Sequence, residues 1–482
     1  MQSAECETPM QNVSGRVRII SRRMVGGELL PSSASEEIHL TPWDLRMLTV
    51  EYIQDGIVLP KPDPNLAVDH LSSAFARALA IFYPLAGRLV VGDRGGDSAA
   101  VSLRCTGEGA EFVHAAAPGV TAADIAAWPP RDMPREPVSS LFPLNGLLCV
   151  DAASPDAAGG SSQRRAPLLA AQVTELADAV FVAVALNHAV GDGTTFWHFV
   201  NTWSDLARGS GGGGGGGERP PPALKRWFPD NYPVPVPVQF AKVERAAGQR
   251  APPPPLHECS FHFSAESLRK LKGRANAELA LSGEATAAAT VSSLQALLAH
   301  HWRAVCLARR LPPSQSTAYV QFVGCRGRVK GVPAAGYVGN AVVPCRAAAT
   351  AGEVAGKGLG WASWLLTRAV ASFDEATLVR ESLDRWAREQ RFAPPAGAQS
   401  VAAIVAGNSP RFDVYGNDFG WGKPVAVRCG PGNTADGKAT LYEGRGGGGA
   451  VYMEVCLAPD AMARLVADEE FMDAVTAPPP YR

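Results

Sequence analysis

The chain has 482 residues, of which 46% are hydrophobic and 19% charged, with 45 Lys and Arg against 46 Asp and Glu. That length exceeds one ordinary core and predicts two domains, while the near-neutral balance gives no electrostatic reason to bind nucleic acid or an anionic membrane. Nine scattered cysteines form no Cys-x-x-Cys pair. They read as reduced, buried thiols and not as a zinc site or disulfide framework.

From the amino end, "MQSAECETPMQNVSGRVRIISRR" has no apolar core for a signal peptide, and no run of about 18 apolar residues follows. The expectation is a cytoplasmic protein without a membrane span. Leu71 to Phe82 has helical spacing and breaks at "YPLAGRL". "PLLAAQVTEL" and "AVFVAVAL" predict neighbouring strands joined by a tight turn at Ala177-Asp178. The second strand ends in "NHAVGDG", where His188 is followed four residues later by Asp192. Thr194 or Thr195 can then cap a helix with Phe196, Phe199, Val200, Trp203 and Leu206 on one face.

The tract "GSGGGGGGGERPPP", 209–222, cannot offset its ordering entropy, and a second proline cluster begins at Ala251. Residues 209–255 are therefore read as a long crossover between domains 1–208 and 256–482. Beyond it, "VSSLQALLAHHWRAVCLARRL" predicts a helix with Leu294, Leu298, Trp302 and Val305 in register. "STAYVQFVGC" and "AVYMEVCLAP" read as strands. Helices and strands alternating in both halves predict an α/β fold with mixed sheets.

Several chemistries lack their signatures. There is no Gly-x-Ser-x-Gly elbow for a serine hydrolase, and "AGEVAGKGLG" lacks the spacing and hydroxyl of a P-loop. Gly444-x-Gly446-x-x-Gly449 precedes a strand and does not open a helix, so it reads as a hairpin turn. His300 and His301 fall within the predicted helix as a surface or packing pair. His257, Cys259 and His262 alternate along a strand, which splits them across faces unsuited to one zinc ion.

His188 is the candidate that remains. An imidazole at the rigid end of a strand can take a proton from a hydroxyl or amine and return it, for a rate factor of about 10²–10⁴. Asp192 could orient that imidazole, or it could turn away to hold the loop. Taken alone, the pair is also compatible with ordinary capping of a strand end.

"HAVGDG" at 188–193 and "DFGWGKP" at 418–424 resemble the two signatures of the BAHD acyltransferases, plant enzymes that use acyl-CoA donors. "LTPWDL" at 40–45, "FYPLAGRL" at 82–89, "SSLQALLAHHWRAV" at 292–305, "CRGRVKGVP" at 325–333 and "GYVGNAV" at 336–342 extend the resemblance over nearly the whole chain. It implies two chloramphenicol-acetyltransferase-like domains joined by a long crossover, with a channel between them and the histidine mid-channel. His188 would deprotonate an acceptor that attacks the thioester, with no acyl-enzyme, metal or bound cofactor. Acyl-CoA and a small-molecule acceptor would be the only partners of a monomer.

By the same resemblance, Asp192 points away from the channel and pairs with Arg326. Asp418, Gly420 and Gly422 serve structure and the CoA-side channel. Asn340 lines the interface, and Ser292 and Ser293 lie near the CoA arm. At one position the chain departs from the family. Many members carry a Ser/Thr-Trp pair nine or ten residues before the second signature, where this chain has Asn408 and Ser409. Either could donate to an oxyanion, and one such donor is worth a factor of about 10²–10³. "NSPRFDVYGNDFGWG" and "TPWDL" are similar to a subgroup that includes cuticle-linked members, which implies a plant metabolite or a hydroxylated lipid as acceptor. A lyase-type elimination in the same channel, or a non-catalytic binding protein on this fold, are the alternatives.

Overall fold

A computed structural model of the chain describes residues 17–26, 36–62, 68–93, 98–126, 133–134, 136–155, 165–209, 219–249, 254–282, 290–392 and 402–479. Most of the polyglycine tract and the start of the second proline cluster lie outside the described residues.

The strand Ala179–Leu186 is buried at all eight positions, and its composition explains why. Val180, Val182 and Val184 enter one apolar core while Phe181 and Ala183 enter another on the opposite face. It pairs with Leu169–Leu176 through the turn at Ala177-Asp178 and with Ile53–Pro60 on its other side. These strands are the centre of a six-stranded sheet completed by Arg18–Val25, Ala110–Ala117 and Ala426–Cys429. A second sheet contains Pro237–Gln239, Ser98–Arg104, Arg88–Asp93 and Ala153–Pro155, with Glu37–His39 paired to Ser98–Arg104.

The seven-stranded sheet runs in the order Val342–Thr350, Ser316–Gly324, Ala403–Asn408, Lys438–Glu443, Val451–Leu457, His257–Phe263, Met133–Pro134. Parallel and antiparallel neighbours coexist in it, so the expected mixed α/β class holds. Helices Ala265–Ser282, Ser293–Ala308 and Gly358–Ala371 pack together over it, and Trp302 is fully buried among them. Lys438–Glu443 and Val451–Leu457 pair antiparallel around residues 444–450, so the glycine-rich segment there is the hairpin turn read from the sequence.

Two strands cross over between the halves. Ala426–Cys429, which directly follows the "DFGWGKP" segment, pairs with Ile53–Pro60. Met133–Pro134 pairs with His257–Phe263. The proline-rich crossover is also more structured than its composition suggests. It contributes the strand Pro237–Gln239 and the helix Phe240–Gly248, and its Arg226 is only 8% exposed.

His300 and His301 are packing residues. His301 is bonded to the Tyr319 hydroxyl at 3.1 Å, His300 stacks on Phe471, and burial pushes the His301 pKa down to about 3. His262 is bonded to Thr476 and the Arg445 carbonyl. Among the described residues no cluster of three or more His, Cys, Asp or Glu could hold a metal ion, and no helix is long and apolar enough to cross a membrane.

Candidate active site

The strand Ala179–Leu186 stops because Asn187 turns its side chain back into the protein. Its Nδ2 donates to the Cys149 carbonyl at 3.0 Å and its Oδ1 accepts from the Ala189 amide at 3.0 Å. The His188 amide donates to the Cys149 sulfur at 3.1 Å. Burial pushes the Cys149 thiol up to about 12, so this cysteine is a neutral backstop and not a nucleophile.

The His188 Nδ1 is buried without a partner that satisfies hydrogen-bond geometry. Burial lowers the pKa of the ring below its ordinary value, and the neighbouring carbonyls of His188 and Gly191 only partly oppose this. The imidazole is therefore neutral at pH 7. In the tautomer with its proton on Nδ1, Nε2 carries the free lone pair that a general base requires.

Asp192 does not reach the imidazole. Its Oδ2 accepts from Arg326 Nη1 at 2.7 Å and from the Ala341 amide at 3.0 Å. Its Oδ1 accepts from Arg326 Nη2 at 2.8 Å and from the amides of Thr194 and Thr195 at 3.1 Å each. Those last two bonds make Asp192 the N-cap of helix Gly193–Arg208. The threonines expected to cap it are instead capped, because a carboxylate at the turn accepts both orphan amides at once. Burial alone would raise the Asp192 carboxyl, but the Arg326 charge and its hydrogen bonds hold it below the usual carboxylate range. Arg326 is fixed in turn by the Gly339 and Tyr337 carbonyls at 3.0 Å each.

Asn340 lies on the opposite side of the turn. Its Nδ2 donates to the His188 carbonyl at 2.7 Å and to Asp44 Oδ1 at 2.9 Å. Asp44 is fully buried, and its other oxygen accepts from the Thr41 amide and hydroxyl in a capping box. Arg226 of the crossover completes this layer. It donates to the carbonyls of Val190 at 2.9 Å and Val338 at 2.8 Å, and lies 3.6 Å from Asp44. Gly339 makes room for it at φ +139°, where an added Cβ would stand 1.8 Å from Arg226 Nη1.

Asn408 approaches from the seven-stranded sheet. Its Oδ1 lies 3.4 Å from where a Cβ on Gly193 would stand, and its Nδ2 donates to Asp55 Oδ2 at 3.4 Å. Asp55 also accepts from the Tyr442 hydroxyl at 2.5 Å, and burial pushes its pKa up to about 6. Ser409 is taken up locally and accepts from the Arg411 amide at 3.2 Å.

Asp418 Oδ1 accepts from the amides of Gly420 at 2.9 Å and Gly422 at 3.1 Å, which lie at φ +112° and +133°. Trp421 Nε1 donates to the Pro60 carbonyl at 2.9 Å, and Phe419 packs edge-on against Trp203. The loop thus ties the strand Ile53–Pro60 to the helix that Asp192 caps. Ser292 caps helix Ser293–Ala308 by accepting from the Gln295 amide. Neither Ser292 nor Ser293 shares a hydrogen bond with His188 or Asp192 among the described residues.

The structure therefore brings His188, Asp192, Arg326, Asn340 and Asn408 around one turn. Asp44, Cys149, Arg226 and Asp55 join them without having been singled out from the sequence. Asp44 had a local signal in the Thr-x-x-Asp spacing of "LTPWDL", whereas the other three had none.

The Transferase family matches residues 16–472. An uncharacterized acetyltransferase of Arabidopsis thaliana is 32% identical over 461 residues, covering 95% of this chain and 99% of its own length. BAHD acyltransferase DCR of the same plant is 31% identical over 469 residues, covering 95% and 92%. The solved structure of TRI101 from F. sporotrichioides, complexed with coenzyme A and T-2, is similar at a TM-score of 0.68 and 19% identity, covering 91% of this chain and 99% of that one.

Proposed function

The chain belongs to the Transferase family of BAHD acyltransferases and is an acyl-CoA-dependent acyltransferase, and on that premise we propose that His188 is its general base. Nε2 takes the proton from an acceptor hydroxyl or amine as that group attacks the thioester carbonyl. The tetrahedral oxyanion collapses with loss of the coenzyme A thiolate, which the imidazolium protonates. The observation that carries this reading is the neutral, part-buried imidazole of a residue whose backbone is held by Cys149 and Asn340.

Asp192 and Arg326 act as a structural clamp and not as a proton relay, since every acceptor site on the carboxylate faces a donor other than the imidazole. Asn408 is the candidate oxyanion or acceptor-side donor, through the second Nδ2 hydrogen, the first being given to Asp55. Its neighbour Ser409 accepts from the Arg411 amide. Asp418, Gly420 and Gly422 shape the site through the loop they brace, and Ser292 and Ser293 remain candidates for the CoA arm. Residues 1–208 and 256–482 form the two acyltransferase domains, with 209–255 as crossover. The acceptor is a plant metabolite or hydroxylated lipid, and acyl-CoA is a co-substrate and not a resident cofactor. Eight buried cysteines that form no disulfide among the described residues favour a reducing cytoplasm, where the enzyme works as a monomer.

The test is to incubate purified protein with an acyl-CoA panel and pooled plant acceptors while following free thiol. Acceptor-dependent thiol release that vanishes in His188→Ala is the expected result. Product formed without coenzyme A would point to elimination, and tight binding without turnover to a non-catalytic protein.

A further inference from the structure

A cavity of about 390 Å³ lies between the two halves of the chain, walled by Trp43, Arg46 and Met47 from one and by Phe322, Asn340 and Trp386 from the other. Asn340 connects it to the catalytic turn, because the same amide holds the His188 carbonyl. Arg46 is the unusual member of the wall. Its Nη2 donates to the Ser382 carbonyl at 2.7 Å and its guanidinium lies 5.8 Å from the Trp386 ring centre, yet its Nε is buried without an acceptor. Burial pulls its pKa down to about 10. No carboxylate lies within ion-pair distance of it among the described residues. The one carboxylate on the wall, Glu389, is engaged by Arg391 at 2.9 Å. Arg385 adds a further cation, and the indole N–H groups of Trp43 and Trp386 are buried without acceptors.

A mostly buried guanidinium costs stability unless something compensates its charge, and a wall of rings and donors complements an apolar body that ends in anionic oxygen. We propose that this cavity takes the acid end of the acyl acceptor. The acceptor class is then a hydroxy or amino acid whose carboxylate meets Arg46 and whose apolar body lies along Phe322 and Met47. Its free hydroxyl or amine extends past Asn340 toward His188. The assignment rests on the acyl-transfer reading of His188. The phosphates of coenzyme A offer the same anionic oxygen chemistry. A multiply charged, flexible arm calls for several solvated cations, however, whereas of the three arginines on the wall Arg46 is mostly buried against Trp386 and Arg391 is paired with Glu389.

The experiment measures binding by tryptophan fluorescence with two matched pairs: 4-hydroxycinnamate and its methyl ester, and 12-hydroxydodecanoate and its methyl ester. At least one free acid is expected to bind saturably and about 10- to 100-fold more tightly than its ester, the range for a charge-assisted hydrogen-bonded pair. Arg46→Gln should remove that preference, the acid losing far more affinity than the ester, and Arg46→Lys should keep part of it. Equal binding of acid and ester by the unmodified chain, or no binding of either acid, overturns the assignment, and neither result depends on how a variant folds. Coenzyme A is titrated into the same proteins and should bind Arg46→Gln as tightly as the unmodified chain. A tenfold loss there would place a coenzyme phosphate in the cavity and overturn the proposal. If His188-dependent thiol release persists without acid selectivity, only the cavity assignment fails. If that thiol release is absent, the transfer reading fails whatever the acids do.

Discussion

Replacing Asp192 with Asn tests whether this carboxylate holds the site together or helps move protons. Five N–H groups converge on it: two from Arg326 and the amides of Thr194, Thr195 and Ala341. An asparagine with its Oδ1 in the same place still caps the helix, since Asn is as good an N-cap as Asp. Its Nδ2 then faces Arg326 Nη1 and the Ala341 amide, setting donor against donor, and leaves a buried guanidinium without a counter-charge. Breaking such a pair from one side costs about 3–5 kcal/mol, a large part of a total stability of about 5–15 kcal/mol. At a slope of about 3 kcal/mol per molar, the urea midpoint should fall by about 1–1.7 M. Adding Arg326→Met removes the stranded charge and should recover at least about 1 kcal/mol, read as a coupling energy in a double-mutant cycle. Because the folded pKa of Asp192 is depressed, its contribution is present above its unfolded pKa of about 3.9 and is lost as pH falls through the lower folded value. The gap between the two proteins should therefore be constant from pH 8 to 5 and close below about pH 4. An unmodified urea midpoint combined with an altered pH dependence of turnover would refute the clamp and make Asp192 a relay.

As the proposed general base His188 must be neutral to act, and its pKa is lowered by burial, so kcat/KM should be flat around pH 7 and fall on the acid side with an inflection below 6.5. An inflection above 7 would contradict this. Gly339→Ala would press a Cβ onto Arg226 and break its bonds to Val190 and Val338, for a loss of roughly 2–5 kcal/mol by thermal or urea denaturation. A neutral effect would show that the crossover arginine is dispensable. Asn340→Ala removes the side-chain donor on the His188 carbonyl and should lower kcat about tenfold, equivalent to about 1.4 kcal/mol. Unchanged turnover would mean that Cys149 alone holds the histidine.

The elements readable from sequence were those whose signal is local. The strand Ala179–Leu186 announces itself as an unbroken apolar run, and helix Ser293–Ala308 keeps one apolar face over four turns. The Asp418 loop shows its glycines, which only a positive φ explains. What escaped depends on contacts between distant segments. Arg226 sits in a proline-rich stretch with no periodicity, yet its partners are Val190 and Val338. Asp55 reads as an interruption in a strand until Tyr442, 387 positions away, supplies its hydrogen bond. The cap of helix Gly193–Arg208 was misassigned by two or three residues because two threonines are good caps in isolation. Only the folded carboxylate, already paired with Arg326, shows which residue receives the amides.

The strand exchange bears on whether either half could exist without the other. Ile53–Pro60 is an interior strand only because Ala426–Cys429, from the far end of the chain, covers one side of it. A fragment ending before the crossover would present that strand as an open edge of eight residues, six of them buried in the intact protein, and such an edge recruits other chains. The polyglycine tract therefore marks a seam in the sequence but not a place to cut. The two halves are two lobes of one folding unit, each finished by a strand on loan from the other.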